Sequence, residues 1–141
     1  MSHSLKIATI LPYKENYTFL KAQAAAIWVC DFFKFSKFKD NNFIFGNTKG
    51  SDYLTTNYIN IKINNLKSKF SSSTNEYCKN FIKKTKNEKF DIIEIHNRPL
   101  IFNYLKKEVD SKFILYFHND PLSMNGSKSI NERLKLLDEL D

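Results

Sequence analysis

Two tetrapeptides of the form His-Asn-x-Pro hold the residues best suited to chemistry: His96-Asn97-Arg98-Pro99 and His118-Asn119-Asp120-Pro121. They contain two of the chain's three histidines and one of its two arginines. An imidazole can donate to a hydroxyl or a diphosphate, or serve as acid or base near neutral pH. A guanidinium pairs with phosphate, and Asp120 can orient a hydroxyl. Each residue also has a plainer use. Asn or Asp before Pro caps a following helix, and His satisfies nearby backbone groups. For any one residue alone the plainer use is the better reading. For the constellation, a binding site is.

The elements around the tetrapeptides would bring them together. Phe90–Ile95 (FDIIEI) and Lys112–Phe117 (KFILYF) are short apolar runs that read as strands, each ending at a tetrapeptide. A helix is expected between them, from Pro99 to about Glu108, with Pro at the favourable first helical position. In open parallel α/β sheets, ligands bind beyond the carboxyl ends of the strands. His96, Asn97, Arg98, His118, Asn119 and Asp120 are therefore expected on one rim.

The rest of the chain fits the same plan. Leu5–Leu11 reads as a buried strand. A helix is expected from about Thr18 to Phe38, since Phe19, Ala22, Ala26, Cys30 and Phe33 recur at helical spacing. Phe43–Phe45 is a brief strand, followed by a turn at Gly46–Gly50. Tyr58–Ile63 alternates as a half-buried edge strand, with Ile59, Ile61 and Ile63 on one face. After a polar loop rich in Ser and Lys, Ser73 and Glu76 form a capping-box pattern opening a helix to about Glu88. A second such pattern, Ser129 with Glu132, opens a last helix with Ile130, Leu134, Leu137 and Leu140 on one face. The order β-α-β-β-α-β-α-β-α predicts a Rossmann-like, doubly wound α/β fold with a mainly parallel sheet and helices on both faces.

Composition bounds the function. At 141 residues the chain is one domain's worth, with a formal net charge of +7. Residues 1–90 hold 15 Lys against 6 acids, whereas residues 91–141 hold 7 Lys/Arg against 9 acids. A basic half can attract phosphate or anionic lipid. Abundant Lys, Asn, Ile, Phe and Tyr, however, are also what an AT-rich coding sequence writes onto any solvated surface. The longest apolar stretch, Ala22–Cys30, is about half the roughly 20 residues needed to cross a bilayer. No secretory signal is evident at the start, and a cytoplasmic protein is expected. Cys30 and Cys78 lie on apolar sides of expected helices, which suits reduced core thiols.

Several classes are excluded by missing motifs. Pro12-Tyr13-Lys14-Glu15-Asn16 follows the first strand, where a dinucleotide fold would carry G-x-G-x-x-G. Gly46–Ser51 has neither the spacing nor the Lys position of a P-loop. There is no D-x-D, no G-x-S-x-G elbow, no C-x-x-C, and no helix-turn-helix or RNP-like pattern. No nucleic-acid partner is expected. The 13 Phe fall at core positions and suit packing better than base stacking.

With these pieces in view, the chain resembles the N-terminal half of a GT-B glycosyltransferase of the family 4, glycogen-synthase-like group. The matching segments are KIATILPY, KAQAAAIWVCDF, DIIEIHNRP, KFILYFHNDP and SMNGSKSINERLKLLDELD. The resemblance implies an acceptor-side domain spanning residues 1–141 and ending early. A second, donor-binding domain with an E-x7-E motif would be missing from it. It implies transfer from a nucleotide sugar to a glycan or lipid-linked acceptor, with no metal, at the cytoplasmic side and possible contact with an anionic inner-membrane face. By similarity, His118 would sit beside the donor sugar as the catalytic residue. His96, Asn97 and Arg98 would line the acceptor side, with Asn119 and Asp120 beside them. The chain departs from the family in having no Gly in Tyr13–Thr18, where members often bring backbone close to phosphate. Two other classes stay open: a non-catalytic α/β module binding an anion or nucleotide at the same rim, and a basic surface docking on anionic lipid or RNA.

Overall fold

The computed structural model describes residues 4–64 and 72–141. His3 and most of the Ser/Lys-rich loop lie outside the described residues. Five short strands are present: β1 (Ile7–Ile10), β2 (Asn42–Gly46), β3 (Tyr58–Asn60), β4 (Ile92–His96) and β5 (Lys112–Tyr116). They form one open, all-parallel sheet in the order β3-β2-β1-β4-β5. Four helices accompany them: α1 (Ala24–Phe35), α2 (Ser73–Lys84), α3 (Pro99–Leu105) and α4 (Ile130–Glu139). The fold is α/β and Rossmann-like, as the alternation of elements predicts.

Side chains alternate across each strand, so the sheet feeds two cores. On one face Ala8, Ile10, Phe45, Ile93, Ile95 and Phe113 meet Tyr77, Cys78 and Phe81 of α2, Ile101, Phe102 and Leu105 of α3, and Leu136 of α4. On the other face Leu11, Ile44 and Tyr58 meet Ala26, Val29 and Cys30 of α1. Both cysteines are buried and unbridged, as expected. Gly46 is required where β2 passes β3, because a Cβ there would lie 2.6 Å from the Tyr58 hydroxyl oxygen.

The structure departs from the sequence reading in several places, among them β3, which ends at Asn60 rather than Ile63, and α1, which ends at Phe35 rather than Phe38. The first helix starts at Ala24, six residues later than expected. Lys49 N donates to Asn16 Oδ1 at 3.0 Å, Tyr17 N donates to Thr48 Oγ1 at 2.9 Å, and Leu54 N donates to Tyr17 O at 3.1 Å. Residues 16–22 are thus tied to the β2–β3 connection, and Phe19 and Leu20 are left in solvent. The Ser73/Glu76 capping box does not form. Ser72 is the cap, accepting from Asn75 N, while buried Glu76 turns to accept from Asn64 N at 2.8 Å. Helices α2 and α3 stop at Lys84 and Leu105, short of Glu88 and Glu108, and end in tighter turns. In α4 the Ser129/Glu132 box is present. Its apolar residues do not share a buried face, however: Leu136 is buried, whereas Ile130, Leu134 and Leu137 are exposed.

Among the described residues, no helix is long and apolar enough to cross a membrane. The larger core should dominate stability. Phe102 is fully buried and meets Phe113 edge-on at 5.5 Å between ring centres. Phe102→Ala should cost about 3–5 kcal/mol in denaturant unfolding. Exposed Phe35→Ala should change stability by no more than about 0.5 kcal/mol. Equal effects would mean that the core is misassigned.

Candidate functional site

The order of the sheet puts the carboxyl ends of β1, β4 and β5 side by side. His96 is the last residue of β4, and its register partner on β5 is Tyr116. His118 lies two residues beyond Tyr116, so both imidazoles project from the face under α1. His96 Nδ1 and His118 Nε2 are 2.7 Å apart. Trp28 of α1 covers the pair, with ring centres 5.6 Å from His96 and 5.3 Å from His118. His96 is fully buried; His118 is half-exposed.

This geometry fixes a charge and a tautomer. Burial, together with the smaller effect of the neighbouring His118, pushes the pKa of His96 down to about 3. Burial also lowers the pKa of His118. Both rings are therefore neutral at neutral pH, and a single proton lies between the two facing nitrogens. His96 Nε2 is buried with no hydrogen-bond partner. A bare acceptor is tolerated there better than an orphaned N–H. His96 therefore carries its proton on Nδ1 and donates to His118 Nε2. His118 is then protonated at Nδ1, and that N–H is the one left for a ligand.

The other rim residues divide between holding the rim and lining it. Asn97 adopts a left-handed conformation (φ 55°), which Asn tolerates better than most residues. From there its Oδ1 accepts from His118 N at 2.7 Å and from Asn119 N at 3.3 Å. Asn97 is thus a clip that sets the height of His118. Asn119 Oδ1 accepts from Asn97 Nδ2 at 3.4 Å. The Asp120 carboxylate accepts from Leu122 N at 2.9 Å and caps a short 3-10 turn, Pro121–Ser123. Arg98 makes no hydrogen bond to either imidazole, and its guanidinium lies 5.5 Å from the ring centre of Tyr13. It opens on a cavity of about 270 Å³ lined by Tyr13, Asn97, Arg98 and Lys128, among others, but by neither histidine. The tetrapeptides share one rim, yet they serve two neighbouring sites on it.

Three further residues matter that no motif marks. Trp28, legible only as part of a broad apolar helix face, forms the lid over the imidazoles. Tyr13 is the platform under Arg98. Glu15 Oε2 accepts from Ala26 N at 2.9 Å, so a carboxylate of the chain itself occupies the first turn of α1. Burial raises the pKa of Glu15, against lowering by that backbone bond and by Arg98. Behind the pair, on the same face, Thr9 Oγ1 lies 2.9 Å from both Asn42 Oδ1 and Glu94 Oε2. Burial raises the pKa of Glu94, which favours its neutral form in this row. Among the described residues, no group of three or more His, Cys, Asp or Glu side chains is gathered to hold a metal ion.

Comparison with protein-family models, with curated proteins and with solved structures finds no match to this chain.

The buried imidazole has a testable pH signature. In the unfolded chain His96 takes up a proton near its ordinary value of 6.5, whereas in the folded chain it waits until about pH 3. Protonation therefore favours unfolding. The stabilising contribution is complete above 6.5 and is lost as the pH falls toward 3. The His96 ring signals in an NMR titration should stay fixed from about pH 7.5 to about pH 5. A midpoint near the ordinary histidine value would contradict the neutral buried pair.

Proposed function

We propose that this domain is the acceptor-side lobe of a GT-B-type sugar transferase, acting on a glycan or lipid-linked acceptor with a nucleotide sugar held by a second lobe. The observation that carries this reading is His118. It stands half-exposed at the carboxyl edge of the sheet, neutral, with its tautomer set by a bond to a buried partner. An Nδ1–H fixed in this way suits a sugar hydroxyl or a phosphoryl oxygen, because it donates a hydrogen bond without bringing a charge to desolvate. In this reading His118 donates to the donor sugar, and His96 positions it without touching substrate. Asn97 sets its height, and Arg98, Asn119 and Asp120 border the acceptor. The likeness of HNRP and HNDP to the family 4 pattern supports the same assignment. The Lys-rich first ninety residues suit an approach to an anionic membrane face, where a lipid-linked acceptor would lie.

A second reading, a non-catalytic module for an anion or nucleotide, is favoured by one observation. The rim carboxylates, Glu15 and Asp120, are both bonded to backbone N–H groups. Neither is placed as a free base.

Ligand-observed NMR with a panel of oligosaccharides, nucleotides and nucleotide sugars separates the two. The transferase reading predicts saturable binding of an oligosaccharide that shifts the Asn119 and Asp120 signals. It also predicts contact of a nucleotide sugar with His118 that His118→Ala weakens about tenfold, in protein whose remaining amide signals show it to be folded. Binding of free nucleotide alone, unaffected by His118→Ala, would discard the transferase reading for the module.

A further inference from the structure

The two arginines of the chain are used very differently. Arg133 donates through Nη1 to Ser127 O at 2.9 Å and to Lys128 O, and so braces the loop before α4. Arg98 makes no side-chain hydrogen bond and no ion pair among the described residues, and its Nε is buried without a partner. It is held in place by the face of Tyr13. A cation positioned by an aromatic ring, with its donors uncommitted, is a binding group waiting for an anion.

The cavity beside it has matching chemistry. Arg98, Lys128, Thr74 and Asn125 all line the space of about 270 Å³. None of these four side chains has a hydrogen-bond or ion-pair partner among the described residues. No carboxylate is in the lining. Glu15 is close enough to feel Arg98, but its Oε2 is bonded to Ala26 N. The walls are pre-formed. Ser127 Oγ donates to Pro121 O at 2.6 Å, and the capping box fixes Ser129. Gly126 (φ 93°) presses the loop onto α3 so closely that a Cβ would lie 3.1 Å from Pro99 and Leu100 side-chain atoms. Next to this cavity, across Tyr13, is a second of about 330 Å³ lined by Lys14 and Lys49, again with no carboxylate in its lining.

We infer that the Arg98–Lys128 cavity is a seat for a phosphate group, and that the ligand of this rim is a phosphate ester whose remainder extends past Tyr13 toward Lys14 and Lys49. The inference rests on the rim being a ligand-binding edge, and does not depend on sugar transfer. Arg98 supplies a planar fork for two phosphate oxygens, Lys128 a mobile charge, and Thr74 and Asn125 neutral donors. The phosphate can belong to a soluble ester or to a lipid headgroup; the seat reads the same dianion or diester in both.

The test is a titration of the intact chain at low salt with inorganic phosphate and with glycerol 3-phosphate, followed by amide shifts. Saturable shifts at Arg98, Asn125 and Lys128 are expected. Arg98→Gln should weaken binding by about tenfold or more, since hydrogen bonds to charged groups carry that much. Lys128→Gln, at an exposed position, should weaken it in the same direction, whereas Lys89→Gln, outside the cavity lining, should leave it unchanged. An unaltered amide spectrum elsewhere shows that the variants are folded. A parallel arm uses phosphatidylglycerol and phosphatidylcholine vesicles. Vesicle binding that is lost in Arg98→Gln and displaced by glycerol 3-phosphate assigns the seat to a lipid headgroup. Vesicle binding indifferent to Arg98, with the soluble esters still bound, assigns it to a soluble ligand. No saturable phosphate binding, or equal loss in all three variants, overturns the inference. That failure, with oligosaccharide binding at Asn119 and Asp120 intact, would leave the transferase reading standing.

Discussion

Two imidazole nitrogens 2.7 Å apart leave room for one proton between them, and nearly everything at this rim follows from that limit. If both rings were charged, two donors would face each other in a desolvated place. The doubly charged pair is therefore excluded, and burial under Trp28 favours the neutral one. Because His96 has no partner for its far nitrogen, the direction of the shared proton is set, and with it the character of the exposed nitrogen of His118. A surface histidine would exchange tautomers and charge with the solvent. Here a fully buried neighbour removes that freedom, which makes His118 a hydrogen-bond donor of fixed orientation.

The sheet order is what allows this. Parallel strands β4 and β5 end at the same level, so residues just past their ends meet without any long connection. The same crossover sends the residue after Asn97 to the opposite side of the sheet. The rim thus separates a neutral site under α1 from a cationic one between the β4–α3 turn and the loop before α4. Asn97 joins them, since one side chain holds the backbone that carries His118 while lining the cavity of Arg98. A ligand crossing the rim would meet a fixed neutral donor on one side and two uncommitted cations on the other.

Much of this was readable from residue types. Leu5–Leu11, FDIIEI and KFILYF read as short strands, and the repeated His-Asn-x-Pro placed two chemically capable turns at adjacent strand ends. The errors came where local pattern met tertiary contact. Phe19 and Ala22 carry helical spacing, but Tyr17 bonds to Thr48 and Leu54 and Thr18 bridges to Tyr53, and the helix cannot begin until the chain is free of them. Ser73 and Glu76 match a capping box, but Ser72 is one residue earlier and Glu76 is needed to bond Asn64. The roles of Trp28, Tyr13 and Glu15 were not legible at all. Aromatic lids, cation platforms and carboxylates that fill a helix terminus have no sequence spacing, since they depend on which strands are neighbours. Even within the tetrapeptides, sequence could not divide labour: Asn97 and Asp120 turned out to hold backbone, while Arg98 holds none.

One proton joins His96 to His118 in a fixed direction. In protein labelled with nitrogen-15, a through-hydrogen-bond coupling between the two facing ring nitrogens reports this directly. The expected result is a correlation linking His96 Nδ1, as the protonated partner, to His118 Nε2, as the acceptor, with His118 Nδ1 also protonated. Absence of the correlation, with both rings protonated at Nε2 or exchanging between tautomers, would contradict it.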